Sequence, residues 1–133
     1  MAYSIFAMKK LALFVISLVA LLLCGCGGGG GVNPYAGAWS GTYNEPSTPD
    51  NGTISFTVAT NGDVSGTATS AVDSTAVTLI GHVDGSGHMT GTINNGVDVA
   101  AVTGTFVLSG SNTINSTGLI GGVVGWSFTV NKL

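Results

Sequence analysis

Thr53-Ile54-Ser55-Phe56-Thr57-Val58, then Ala59-Thr60-Asn61-Gly62-Asp63, then Val64-Ser65-Gly66-Thr67 is the stretch that decides the fold. Ile54, Phe56 and Val58 alternate with Thr53, Ser55 and Thr57. A period of two places one set on a buried face and the other in water, which is the pattern of a half-buried strand. Asn61-Gly62 interrupts the pattern and Val64 resumes it. The interruption reads as a three-residue hairpin loop that ends in a glycine at the left-handed position. The pairs this implies are Val58 with Val64 and Phe56 with Gly66. Both keep the apolar residues on one side, so the register is self-consistent.

The same unit recurs outward from this hairpin. Ser40-Gly41-Thr42, Ser65-Gly66-Thr67 and Thr90-Gly91-Thr92 repeat at a fixed spacing, and Thr103-Gly104-Thr105 is a further copy at half of it. Aligning the copies sets Ser86-Gly87 over Asn61-Gly62 and implies the pairs Val83 with Met89 and Gly81 with Gly91. Val77, Leu79, Gly81 and Val83 alternate as Ile54 to Val58 do. So do Val102, Gly104, Phe106 and Leu108, and Val124, Trp126, Phe128 and Val130. Eight strands follow, near residues 36–44, 52–60, 63–70, 75–83, 88–94, 98–109, 112–118 and 122–131. The chain beyond residue 35 is therefore all-β. Glycine and β-branched residues disfavour helix throughout it.

The repeated glycine falls on the apolar face each time. A glycine there removes bulk on the concave side and lets a strand bend. Consecutive hairpins with inward glycines fit an antiparallel up-and-down meander closed into a small eight-stranded barrel, which also removes sheet edges. A β-sandwich is the alternative architecture. The inward set expected from the alternation includes Trp39, Tyr43, Ile54, Phe56, Val58, Leu79, Val83, Met89, Ile93, Phe106, Leu108, Val124, Trp126, Phe128 and Val130. Eight strands enclose an interior that side chains fill, or that holds one small ligand. Trp39, Tyr43, Phe56, Phe106, Trp126 and Phe128 are the candidate lining of such a pocket.

Upstream of this domain the chemistry is different. Lys9 and Lys10 precede an apolar run over residues 11–23, within the ~7–15 residues of a secretory signal and short of the roughly 20 that span a bilayer. Leu23-Cys24-Gly25-Cys26 follows, and then the glycine run of residues 27–31. This order resembles the bacterial lipobox: an aliphatic residue, a variable residue, a small residue, then cysteine. The resemblance implies a helical signal peptide over residues 1–25, cleavage between Gly25 and Cys26, and lipid on Cys26. It further implies a bacterial cell-envelope location with the membrane reached through that lipid. Gly27 stands where an aspartate marks inner-membrane retention, which favours the outer membrane in a Gram-negative host. Two or more acyl chains anchor a protein stably, whereas one does not. Residues 26–34 then form a lipidated, glycine-rich tether and residues 35–133 the folded domain. Met8-Lys9-Lys10 also fits a lipoprotein start, with residues 1–7 as an upstream extension.

Removal of the signal leaves Lys132 as the one cation among six carboxylates: Glu45, Asp50, Asp63, Asp73, Asp84 and Asp98. The acidic balance argues against nucleic acid as a partner. With Cys24 cleaved off and Cys26 acylated, no cysteine pair remains for a disulfide. The carboxylates are scattered, with no two on evidently facing strands. Serines and threonines at strand spacing read as the solvated face, and no nucleophile motif accompanies them. The expectation is a non-enzymatic protein without a cofactor. His82, Asp84 and His88 share one hairpin and are weak candidates for a surface metal site, two imidazoles and a carboxylate being acceptable zinc or copper ligands.

Gly37-Ala38-Trp39-Ser40-Gly41 resembles the Gly-x-Trp opening of lipocalin-like and avidin-like barrels, and Gly125-Trp126 adds to the likeness. Two features depart from those families: lipocalins usually place an arginine late in the chain against the first tryptophan, where only Lys132 is available, and avidin-like barrels carry several pocket tryptophans, where this chain has Trp39 and Trp126 alone. The resemblance implies a barrel and a small hydrophobic ligand. Three functional expectations therefore stand: an envelope structural or interaction module with a protein partner, a small-ligand-binding barrel, and a surface metal binder.

Overall fold

Val58 pairs with Val64 and Phe56 with Gly66, and in the next repeat Val83 pairs with Met89 and Gly81 with Gly91. The loops that set these registers are built as their glycines require. Ala59 N–H donates to Asp63 O (2.8 Å) and Gly62 N–H to Ala59 O (2.9 Å), with Gly62 at φ 97°. Asp84 N–H donates to His88 O (3.0 Å) and Gly87 N–H to Asp84 O (3.1 Å), with Gly87 at φ 95°. A side chain at either glycine is strained in this region of backbone space.

The structure, a computed structural model, describes residues 31–133. The signal segment of residues 1–25 and the cysteines Cys24 and Cys26 lie outside the described residues. The described chain contains eight strands: β1 (Gly37–Glu45), β2 (Asp50–Val58), β3 (Asp63–Ser70), β4 (Ala76–Val83), β5 (His88–Asn94), β6 (Val99–Ser109), β7 (Thr113–Ile120) and β8 (Val124–Lys132). Each pairs antiparallel with its neighbours in sequence, and β1 also pairs with β8 through Trp39–Lys132 to Asn44–Ser127. The sheet is thus a closed barrel, and the sandwich alternative is set aside. No helix occurs among the described residues.

Two boundaries differ from the sequence reading in a way that affects the interior. β1 runs on to Glu45 and β2 begins at Asp50, because Glu45 and Asp50 are themselves register partners. The ladder continues through polar residues that the apolar alternation does not mark. At the N-terminal side, Asn33 and Pro34 are bonded into the barrel and not part of a free tether. Asn33 N–H donates to Thr60 O (2.9 Å), and Asn33 Nδ2 donates to Val83 O (2.8 Å). Ala36 N–H closes a turn onto Asn33 O (2.9 Å), with Pro34 at the turn position that suits its fixed φ.

Topology assigns the loops to two ends. The loops β2–β3, β4–β5 and β6–β7 lie at one end with the incoming segment before β1 and with Leu133. The loops β1–β2, β3–β4, β5–β6 and β7–β8 lie at the other. The first end is packed shut. Trp39 is fully buried, and its Nε1 donates to Tyr35 O (2.8 Å). Tyr35 Oη donates to Phe106 O (3.1 Å), so the segment before β1 straps this end from within. Lys132 Nζ stands 5.4 Å from the Trp39 ring centroid, within cation–π range. Phe56, Phe106 and Phe128 contact one another with ring centroids 5.4–5.6 Å apart, and Phe128 stacks on Trp126 at 4.8 Å. Offset and edge-on rings at these separations fill space better than aliphatic chains of similar area.

The inward glycines make room for these rings. Gly66 lies against Phe56, and a Cβ on it would collide with the Phe56 backbone and Cβ. Gly104 and Gly118 face each other across β6 and β7. The Trp126 indole lies across both: a Cβ on Gly118 would sit 2.8 Å from its Nε1, and one on Gly104 3.4 Å from its Cζ2. Gly118 was not singled out in the sequence, because it lies outside the Ser/Thr-Gly-Thr repeat.

Candidate functional site

The interior is not filled to the second end. A cavity of about 180 Å³ remains there, beyond Trp126. Its walls come from inward positions of seven strands. Ile54 and Ala68 contribute from β2 and β3, and Val77 and Leu79 from β4. Ile93, Val102, Ile120 and Trp126 complete the apolar lining from β5 to β8. The mouth is different in character: Tyr43, Glu45, Asp50, Ser70, Asp73 and Thr75.

Local sequence explains how the polar residues come to face inward. Alternation along β2 carries Ile54 to Gly52 and then to Asp50, and along β1 carries Tyr43 to Glu45. Register pairs then set Tyr43 beside Gly52, Gly52 beside Ser70 and Glu45 beside Asp50. Gly52 leaves space that the Tyr43 ring uses, since a Cβ there would lie 2.9 Å from Tyr43 Cε1. Tyr43 Oη donates to Asp50 Oδ2 (3.1 Å) and Ser70 Oγ donates to Asp50 Oδ1 (2.6 Å). Ser70 Oγ also accepts from Val72 N–H (3.1 Å), which ties the β3–β4 loop to the same group. Glu45 accepts from Thr48 Oγ1 (2.8 Å) within its own turn. Burial, and then the hydrogen bond to Asp50, push the Tyr43 phenol up to about 12. It is therefore a fixed neutral donor at any physiological pH.

Charge is distributed unevenly between the two ends. Glu45, Asp50, Asp73 and Asp98 all belong to the open end, and among the described residues no Lys, Arg or His accompanies them. Asp63, Asp84, His82, His88 and Lys132 belong to the closed end. The loops of the open end also expose Val72, Val97 and Val123, which are 68%, 88% and 82% accessible.

The hairpin with the two histidines does not assemble as one cluster. His82 Nδ1 lies 3.1 Å from Asp63 Oδ1 on the neighbouring strand, whereas His88 Nδ1 lies 3.5 Å from Asp84 Oδ2. Asp84 Oδ1 is occupied by the backbone N–H groups of Ser86 (2.8 Å) and His88 (3.0 Å). Those backbone donors, His88 first, hold the Asp84 carboxyl below its ordinary value. The His82 hydrogen bond does the same for Asp63. Among the described residues no three His, Cys, Asp or Glu side chains are placed to share a metal ion.

The six aromatic residues proposed as pocket lining divide into two groups. Tyr43 and Trp126 line the cavity. Trp39, Phe56, Phe106 and Phe128 do not. They are 0–3% exposed and form the packed half of the barrel. Pocket and core are therefore successive layers of one interior, with Trp126 at their boundary. The carboxylates of the mouth are what sequence reasoning missed. Glu45 and Asp50 do face each other across a hairpin, contrary to the expectation that no two acids lie on facing strands. Extending the period-two alternation of Ile54 and Tyr43 through the β1–β2 turn would have found both.

Among the described residues two buried polar atoms have no protein partner: Trp126 Nε1, which lies over Gly118, and Ser116 Oγ, deeper in the barrel. No family model, no curated protein and no solved structure matches this chain.

Proposed function

We propose that this chain is a lipid-anchored, non-enzymatic protein of the bacterial envelope whose barrel holds a small, largely apolar molecule. The observation that carries the reading is the cavity of about 180 Å³, confined to one end while aromatic rings fill the other. An engineered cavity of about 150 Å³ lined by apolar side chains stays dry and takes up benzene. Concave, mostly apolar pockets with a few convergent polar groups are the ordinary form of small-molecule sites. The open end lies opposite the segment of Asn33 to Ala36 that leads into β1.

The test is titration of the purified full-length chain with benzyl alcohol, read by the indole fluorescence and side-chain NMR shifts of Trp126. Saturable binding at the cavity is expected. Ala68→Leu, which adds bulk to the wall, is expected to abolish it while the protein stays folded. Absence of saturable binding would overturn the reading. The anchor is tested separately: Cys26→Ser is expected to stop labelled fatty acid uptake and release the protein from membranes. Continued labelling would exclude the lipobox assignment. An interaction module is the second reading, and the exposed Val72, Val97 and Val123 around the mouth support it.

A further inference from the structure

We infer that the cavity selects a small organic cation, an ammonium group on a body about the size of one aromatic ring. The inference rests on the ligand-binding reading above and narrows it to a chemical class.

Asp50 is the centre of the argument. Its two oxygens are each held by a neutral donor, Tyr43 Oη at 3.1 Å and Ser70 Oγ at 2.6 Å. Neutral donors orient a carboxylate without cancelling its charge, and each oxygen retains a further lone pair. Glu45 sits opposite it in register, and Asp73 adds a third carboxylate to the same mouth. No Lys, Arg or His lines the cavity among the described residues. An anionic ligand would meet like charge on entry. A neutral ligand would leave the carboxylates without a counter-charge in a partly desolvated mouth, where Coulomb terms are larger than in water. An ammonium answers them, and charge-assisted hydrogen bonds of this kind are roughly twice as strong as neutral ones.

The deeper wall is suited to an organic ion in place of a bare metal. Tyr43 and Trp126 offer aromatic surface on which a cation or its ring can rest. Trp126 is 8% exposed, and its indole lies across Gly118 and Gly104 where β8 closes the floor of the cavity. The mouth carboxylates, by contrast, are not placed for three of them to grip one metal ion.

The test uses the full-length chain and three probes with one body: benzylamine, benzyl alcohol and benzoate. Benzylamine is expected to bind at least about tenfold more tightly than benzyl alcohol, in line with the added charge-assisted bonds. Benzoate is expected to bind most weakly. Asp50→Asn and, independently, Asp73→Asn should narrow the ratio of benzylamine to benzyl alcohol affinity. Asp63→Asn, at the closed end, should change neither. Benzyl alcohol binding as tightly as benzylamine would overturn the cation inference and leave the binding reading standing. Failure of all three probes to bind would remove both. Calcium displacing benzylamine at equal concentration would make the mouth an inorganic-cation site and also overturn the inference.

Discussion

The two ends of this barrel are made from the same alternating strands and differ in almost everything else. At the closed end the inward positions carry Trp39, Phe56, Phe106 and Phe128, and the segment before β1 straps them through Tyr35. At the open end the inward positions carry Ala68, Val77, Ile93 and Ile120, which leave a cavity between them, and then Glu45 and Asp50. The difference teaches that the cluster of aromatic rings marks where the core is filled and Trp126 where the cavity begins. Packing is concentrated at one end, and the other encloses a cavity. The loops differ in one respect: those of the open end carry the exposed Val72, Val97 and Val123.

The largest effect expected from this contrast is on stability. Phe106→Ala removes a ring that touches Phe56, Phe128 and Tyr35 and should cost about 3–5 kcal/mol. Val77→Ala, on the half-buried cavity wall, should cost about 1 kcal/mol or less, since little packing is lost. Denaturant unfolding of both variants checks this. Equal losses would mean that the two ends are packed alike.

A smaller effect is expected from pH, and its sign differs with the group. The Tyr43 proton is held more tightly in the fold than in the unfolded chain. Stability that depends on it is complete below about pH 10 and is lost as pH rises towards about 12. Tyr35 is also raised, mainly by burial, so Tyr43→Phe should lessen the alkaline loss without abolishing it. The carboxyls of Asp63 and Asp84 shift the other way. Their contribution is present above the ordinary carboxylate range and is lost as pH falls through their lower folded values. Asp63→Asn with Asp84→Asn should therefore flatten the acid limb of the stability profile and leave the alkaline limb alone. Thermal unfolding across the pH range measures both limbs, and an unchanged acid limb would show that these exposed carboxylates contribute nothing.

Much of the architecture was legible because it depends on local periodicity. The alternation of Ile54, Phe56 and Val58 and the glycines at 62 and 87 set two hairpin registers that the pairing reproduces. The candidate site was less legible. Trp126 and Tyr43 were recognised as inward, but nothing local separates an inward aromatic at the core from one on a cavity wall. Glu45 and Asp50 were obscured because they sit beside Pro46 and Pro49, where turn residues conceal the continuing ladder. His82, Asp84 and His88 looked like one cluster along the chain. They form two pairs because Asp63, on the adjacent strand, takes His82.

The sequence alone determined the all-β class, the hairpin order and which face of each strand is apolar. These follow from a two-residue period and from glycines that only certain turns accept. The tertiary structure decided that the sheet closes on itself, that aromatic rings fill only one end and that four carboxylates gather at the other. The reason is geometric. Closure and end-to-end placement depend on which residues meet across eight strands, and that information is held in the pairing of β1 with β8 and in the volumes facing the axis.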